Sequence, residues 1–225
     1  MKKLFGGKIF DILETEDGFL VVYQKGVTED KVIVAYKAIS IENGSVSPKT
    51  RFDYETLKYG EFHGEVNIEI GNFITCNCVK LENDRVFVVS PEGDAKIYDD
   101  VGNTEWEGTI RYKESGPSAV ASVGHTLWAS FAEKNALIRF NLRTMREELR
   151  IGGSHDSSFS SPSGLWIDPE MDKLMVCNRD AMNLLEVNLK TYTVVERAKF
   201  DEPINFYIKV GAKELVVLDS GLYLI

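Results

Sequence analysis

Long apolar runs are missing from this chain. Nowhere in its 225 residues is there a stretch approaching the roughly 20 that span a bilayer. The opening MKKLFGGKIFDILE begins with two lysines, but Gly6, Gly7, Lys8 and Asp11 break the apolar core that a secretory leader needs. A cytoplasmic protein with no membrane partner is therefore expected. Cysteine is scarce and odd in number: Cys76, Cys78 and Cys177. Cys76 and Cys78 fall two apart on one apolar run, so they share a face of a strand and would strain to pair. Buried free thiols are the simpler reading, because no His or Cys pair with zinc spacing exists to complete a metal site. The histidines are only His63, His125 and His155. G-x-S-x-G, the P-loop and H-E-x-x-H are all lacking. Gly153-Ser154-His155-Asp156 sets a Ser, a His and an Asp side by side, but a triad needs convergence in space, not adjacency. No catalytic residue is assigned. The net charge is −9 with no dense Lys/Arg cluster, so the phosphate backbone is repelled and nucleic acid is not an expected partner. No apolar period of 3.6 residues is sustained over a helix's length.

What is present is a succession of short apolar strands with turn signals every 8–12 residues, the pattern of an all-β protein. Ser161 to Leu189, SPSGLWIDPEMDKLMVCNRDAMNLLEVNL, contains two such strands and the start of a third. Gly116 to Leu142 echoes it, and Pro203 to Ile225 repeats it in truncated form. Aligned on the end of the second strand, the repeats fall at Val22, Val89, Ser130, Cys177 and Val217, which are 67, 41, 47 and 40 residues apart. Four-stranded propeller blades take about 40–50 residues each. Each unit runs from apolar strands to a charged last one, as a blade does when its inner strands are buried between neighbours.

The expected fold is thus a single all-β propeller of five blades, at about 8–57, 73–112, 116–151, 161–200 and 203–225 plus 1–5. Six blades would require Asn43 to Asn72 to hide another; Glu61 to Asn72 reads instead as an irregular insertion. The fifth unit stops at its third strand, so Met1 to Phe5 is expected to pair beside Gly221 to Ile225 as its fourth. That pairing would close the ring and remove two free edges.

Pro162, Ser163, Gly164, Leu165, Ile167, Asp168, Leu174, Val176, Asn178, Leu185 and Val187 carry a unit that resembles NHL-type repeats and the wider SMP-30/gluconolactonase and YncE-like propellers. Pro117, Ser118, Val120, Leu127, Ala129, Asn135, Ile138 and Phe140 repeat it. The lactonase branch implies a central divalent metal, held in part by the Asn of a Pro-Asn-Gly segment. Here Ser163 and Ser118 stand at that position. A hydroxyl is a poor substitute for a carboxamide oxygen in such a shell, so no metal and no cofactor are expected.

Loops joining second to third strands, and blade to blade, share one face of a propeller. They gather the candidate ligand-binding residues Glu133, Asn135, His155, Asp156, Asn178, Arg179, Asp180 and Asp219. Asn, Asp and Gly also favour turns for backbone reasons alone. Trp106, Trp128 and Trp166 are read as strand packing. The expected function is non-catalytic binding of a protein or a small polar ligand. The alternative is a propeller-type hydrolase or lyase acting on a small polar or sugar-like substrate.

Overall fold

The computed structural model describes residues 1–15, 18–27, 31–40, 46–48, 66–69, 77–154, 157–168 and 170–225. The turns expected at Asp17 and Asn43, and the expected strand residue Cys76, lie outside them. Every regular element described is a β-strand, apart from two single turns of 3-10 helix at Glu82–Asp84 and Ala132–Lys134. The chain divides into two compact units, Met1–Thr75 with Ile208–Ile225, and Cys76–Tyr207.

In the first unit, β1 (Lys2–Gly6) is followed by an antiparallel sheet of β2 (Ile9–Thr15), β3 (Gly18–Val27), β4 (Lys31–Ser40), β5 (Val46–Pro48) and β6 (Val66–Glu69). The last strand corrects, at Val66–Glu69, the expectation of an irregular insertion over Glu61 to Asn72, the rest of which lies outside the described residues. Val66 and Ile68 alternate with Asn67 and Glu69, a period of two. Ten-residue β4 has room for two short partners end to end: β5 pairs with Lys37 to Ile39, and β6 with Lys31 to Val34.

The second unit holds three sheets of four consecutive antiparallel strands. They are β7 (Asn77–Lys80), β8 (Val86–Val89), β9 (Asp94–Tyr98) and β10 (Thr104–Thr109); β11 (Ala119–Val123), β12 (Thr126–Phe131), β13 (Ala136–Asn141) and β14 (Arg146–Gly152); and β15 (Pro162–Asp168), β16 (Lys173–Asn178), β17 (Asn183–Asn188) and β18 (Val194–Lys199). Second strands are the core: TLWASF and KLMVCN are buried at every residue but the first. Near-continuous apolar runs are what a strand covered on both faces requires. The period of two then divides them. Leu127, Ala129 and Phe131 of β12 pack with Phe87, Val89, Ala95 and Ile97 of the preceding sheet. Trp128 packs the other way, with Leu174, Val176, Leu185 and Val187 of the following one. Outer strands such as β18 expose most of their residues.

A further sheet has the order β1-β21-β20-β19, from β19 (Ile204–Val210), β20 (Lys213–Leu218) and β21 (Gly221–Leu224). The first strand of the chain pairs antiparallel with the last, from Lys2 opposite Leu224 to Gly6 opposite Gly221. Gly221 permits this with φ of +144°, and a Cβ there would meet the Phe5 carbonyl oxygen at 2.1 Å. Phe5 also packs edge-on against Tyr23, with ring centroids 4.9 Å apart. The described protein is thus all-β, and four of its sheets are four-stranded and antiparallel, a plan consistent with a β-propeller.

Candidate functional site

Within the second unit, second-to-third-strand loops lie against sheet-to-sheet loops, and side chains fasten them together. Asn135, in the left-handed conformation after the 3-10 turn, accepts from the Ser161 amide through Oδ1 at 2.8 Å. Its backbone carbonyl accepts from the Gly153 amide and the Ser157 hydroxyl. Asn178 is buried, and its Oδ1 accepts from the Ser160 amide. Its Nδ2 donates to the Ser158 carbonyl and to Asn183 Oδ1. The Asn135 carboxamide oxygen and the Asn178 carboxamide thus hold loop 157–161 in place. Arg179 is half-buried and donates to Asn205 Oδ1 at 2.6 Å. Glu133 and Asp180 are exposed. His155 and Asp156 lie outside the described residues. Asp219, in the first unit, is exposed at the turn between β20 and β21.

The serines of the two Pro-Ser segments have a structural use. Ser118 Oγ approaches the Pro162 carbonyl at 2.7 Å, the first residue of the next sheet. Its single proton goes there, leaving the oxygen to accept from Ala132 N–H at 3.2 Å and from Ser130 Oγ at 2.9 Å. Ser163 Oγ approaches the Ile204 carbonyl at 3.1 Å in the same way. In these two successive repeats the hydroxyl joins one inner strand to the next.

Tyr112, which sequence reading passed over, shapes the same loops. Tyr112 is buried and accepts from Arg150 Nη1 at 3.3 Å; the Lys113 ammonium lies 5.1 Å from its ring centroid and donates to the Gly153 carbonyl. The Lys113 hydrogen bond first, and Arg150 second, hold the phenol below its ordinary pKa. Cys177 is a free, fully buried thiol, and burial pushes its pKa up, which makes it inert.

A cleft of about 650 Å³ opens at the other end of these strands, between the first two sheets of the second unit. Ile97, Leu142, Trp106 and Met145 provide its apolar lining; Arg85, Asp99, Asp100, Glu105, His125 and Arg143 provide its charge. Asp99 is occupied by its own turn: Val101 N–H, Asn103 N–H and Asn103 Nδ2 all donate to it. The Asn103 side chain is the largest cause that lowers its pKa. Arg85 and Glu105 pair at 3.3 Å. Arg143 Nη2 lies 2.6 Å from His125 Nε2. Because a guanidinium only donates, Nε2 is the acceptor and the imidazole proton sits on Nδ1, which faces Glu82 at 3.6 Å.

A sequence signal for this cleft existed. Asn141-Leu142-Arg143-Thr144-Met145 recurs as Asn188-Leu189-Lys190-Thr191-Tyr192. In both, the Asn Oδ1 accepts two backbone amides of its turn, and the fifth residue has positive φ. Tyr192 fills the gap between its sheet and the preceding one, receiving a 2.6 Å hydrogen bond from Arg139 and packing near Trp128. At the corresponding positions of the preceding interface stand Met145 and Ile97, which leave the gap open.

No protein-family model matches the chain, and no curated protein matches it significantly. Solved structures do. A glutaminyl cyclase of Myxococcus xanthus matches with a TM-score of 0.55 and 9% identity, over 98% of this chain and 93% of that one. The computationally designed Ika8 protein matches with a TM-score of 0.54 and 9% identity, over 96% of this chain and 70% of that one. The hydrazine synthase of Kuenenia stuttgartiensis matches with a TM-score of 0.51 and 17% identity, over 61% of this chain and 40% of that one. At such identities the likeness is one of fold, and it is consistent with a β-propeller.

Proposed function

We propose that this protein is a single-domain, five-bladed binding propeller of the NHL/SMP-30/YncE-like group, closed by β1 beside β21 and working in the cytoplasm. Its partner is a protein segment or a small polar molecule met by the loops bearing Glu133, Asn135, Asn178, Arg179 and Asp180, with His155, Asp156 and Asp219. The observation that carries this reading is the fastening of those loops. Asn135 Oδ1 and the Asn178 carboxamide fix loop 157–161, while Glu133 and Asp180 are exposed. A preformed surface loses little entropy on binding. The serines at the position of the lactonase asparagine are engaged between strands, which favours binding over metal-assisted hydrolysis.

The test sets binding against turnover. The purified protein is incubated with a panel of lactones, esters and glycosides while product is followed, and native mass spectrometry records what it retains. A retained partner, lost from a Glu133→Ala, Arg179→Ala, Asp180→Ala triple variant, is the expected result. Product formation abolished by the same substitutions would establish a hydrolase or lyase instead.

A further inference from the structure

The cleft between the first two sheets of the second unit lies at the opposite end of the strands from loop 157–161, and its charges do not all cancel. Arg85 is matched by Glu105. Asp99 is saturated by the amides and side chain of its own turn. Arg143 is different: its guanidinium contacts the His125 ring, and among the described residues it forms no ion pair with a carboxylate. The His125 contact uses one of five N–H donors and fixes where the guanidinium sits. Asp100 is likewise exposed and has no cation beside it among the described residues. One unanswered cation and one unanswered anion therefore line the same cleft, with the half-buried Trp106 and Met145 between them and the buried Ile97 and Leu142 beneath.

The volume is that of a small-molecule site, which ordinarily falls at roughly 300–1,000 Å³. The next interface lacks the opening, since Tyr192 and Arg139 fill the corresponding place there. We infer that this cleft binds a small zwitterion of the amino-acid type with an apolar side chain. Its carboxylate meets Arg143, in the paired geometry a guanidinium offers. Its ammonium meets Asp100, and its side chain lies against Trp106 and Met145. His125 acts as a positioning residue, holding Arg143 from behind.

The probes are L-leucine and L-phenylalanine, titrated calorimetrically into the full-length protein. Each is compared with its two single-charge analogues, 3-methylbutylamine and 4-methylpentanoate for leucine, phenethylamine and 3-phenylpropanoate for phenylalanine. Saturable binding of at least one amino acid is expected, with both of its analogues about tenfold or more weaker. Arg143→Gln should erase the preference for the amino acid over its amine analogue. Asp100→Asn should erase the preference over the acid analogue. Both residues are exposed, so an unchanged melting temperature certifies the variants' fold. Failure of both amino acids to bind, an analogue equal to its parent, or indifference to both substitutions would overturn the proposal. The loop-face triple variant should bind the same amino acid normally, which keeps this test independent of the proposed function.

Discussion

Ser118 shows how much one hydroxyl can do in a repeat. It donates a hydrogen bond to the Pro162 carbonyl and accepts one from the Ala132 amide. Replacing it strands polar groups that are largely shielded from water, and such losses run to about 1–3 kcal/mol. Ser118→Ala should therefore lower the urea midpoint clearly, and Ser163→Ala by less, because its contacts are longer. An unchanged midpoint in Ser118→Ala would refute the stitching role. Asp99 makes a pH-dependent contribution. Its folded-state pKa is depressed, chiefly by the Asn103 side chain. The stability it adds is present above its unfolded pKa and disappears as pH falls through the folded one. Asn103→Ala should accordingly flatten the acid limb of a pH–stability curve, and stability curves of both proteins from neutral into the carboxylate range would check it. The residue scale is also where sequence reading ran out. Ser118 and Ser163 were legible as departures from a metal-binding pattern, but their acceptors lie 44 and 41 residues onward, a distance no local pattern reveals.

At the scale of the element, most strands were legible because burial leaves a mark on composition. β12 and β16 are apolar nearly throughout, while β14 and β18 carry the charges of solvated strands. β6 was missed because four residues with only two apolar positions stand out poorly, and its partner is the far half of a longer strand. The cleft was missed for a related reason. Its openness depends on Ile97 and Met145 occupying positions that Arg139 and Tyr192 fill one interface later, and that requires knowing the register between sheets. β1 was foreseen from the missing fourth strand of the last repeat. Deleting residues 1–6 removes its ladder with β21, the Phe5–Tyr23 contact and the Lys3 ammonium over the Tyr223 ring. It leaves β21 as a naked edge. A loss of several kcal/mol is expected, visible as a large fall in melting temperature; a truncated protein that melts with the full-length one would refute it.

For the whole molecule, repetition is what made the architecture readable. The spacing of about 40–50 residues announced similar sheets in succession, and the described sheets follow that succession. Function is less legible because it depends on where the repeats differ: a tyrosine that fills a gap in one interface, a methionine that leaves it open in another. The serine contacts also have an orientation. Each hydroxyl reaches forward in the chain, from Ser118 to Pro162 and from Ser163 to Ile204. During synthesis, then, a sheet whose four strands have all emerged still lacks a bond that only the following repeat can supply. These two repeats each wait for a successor, and the order of translation becomes the order in which their inner strands are secured.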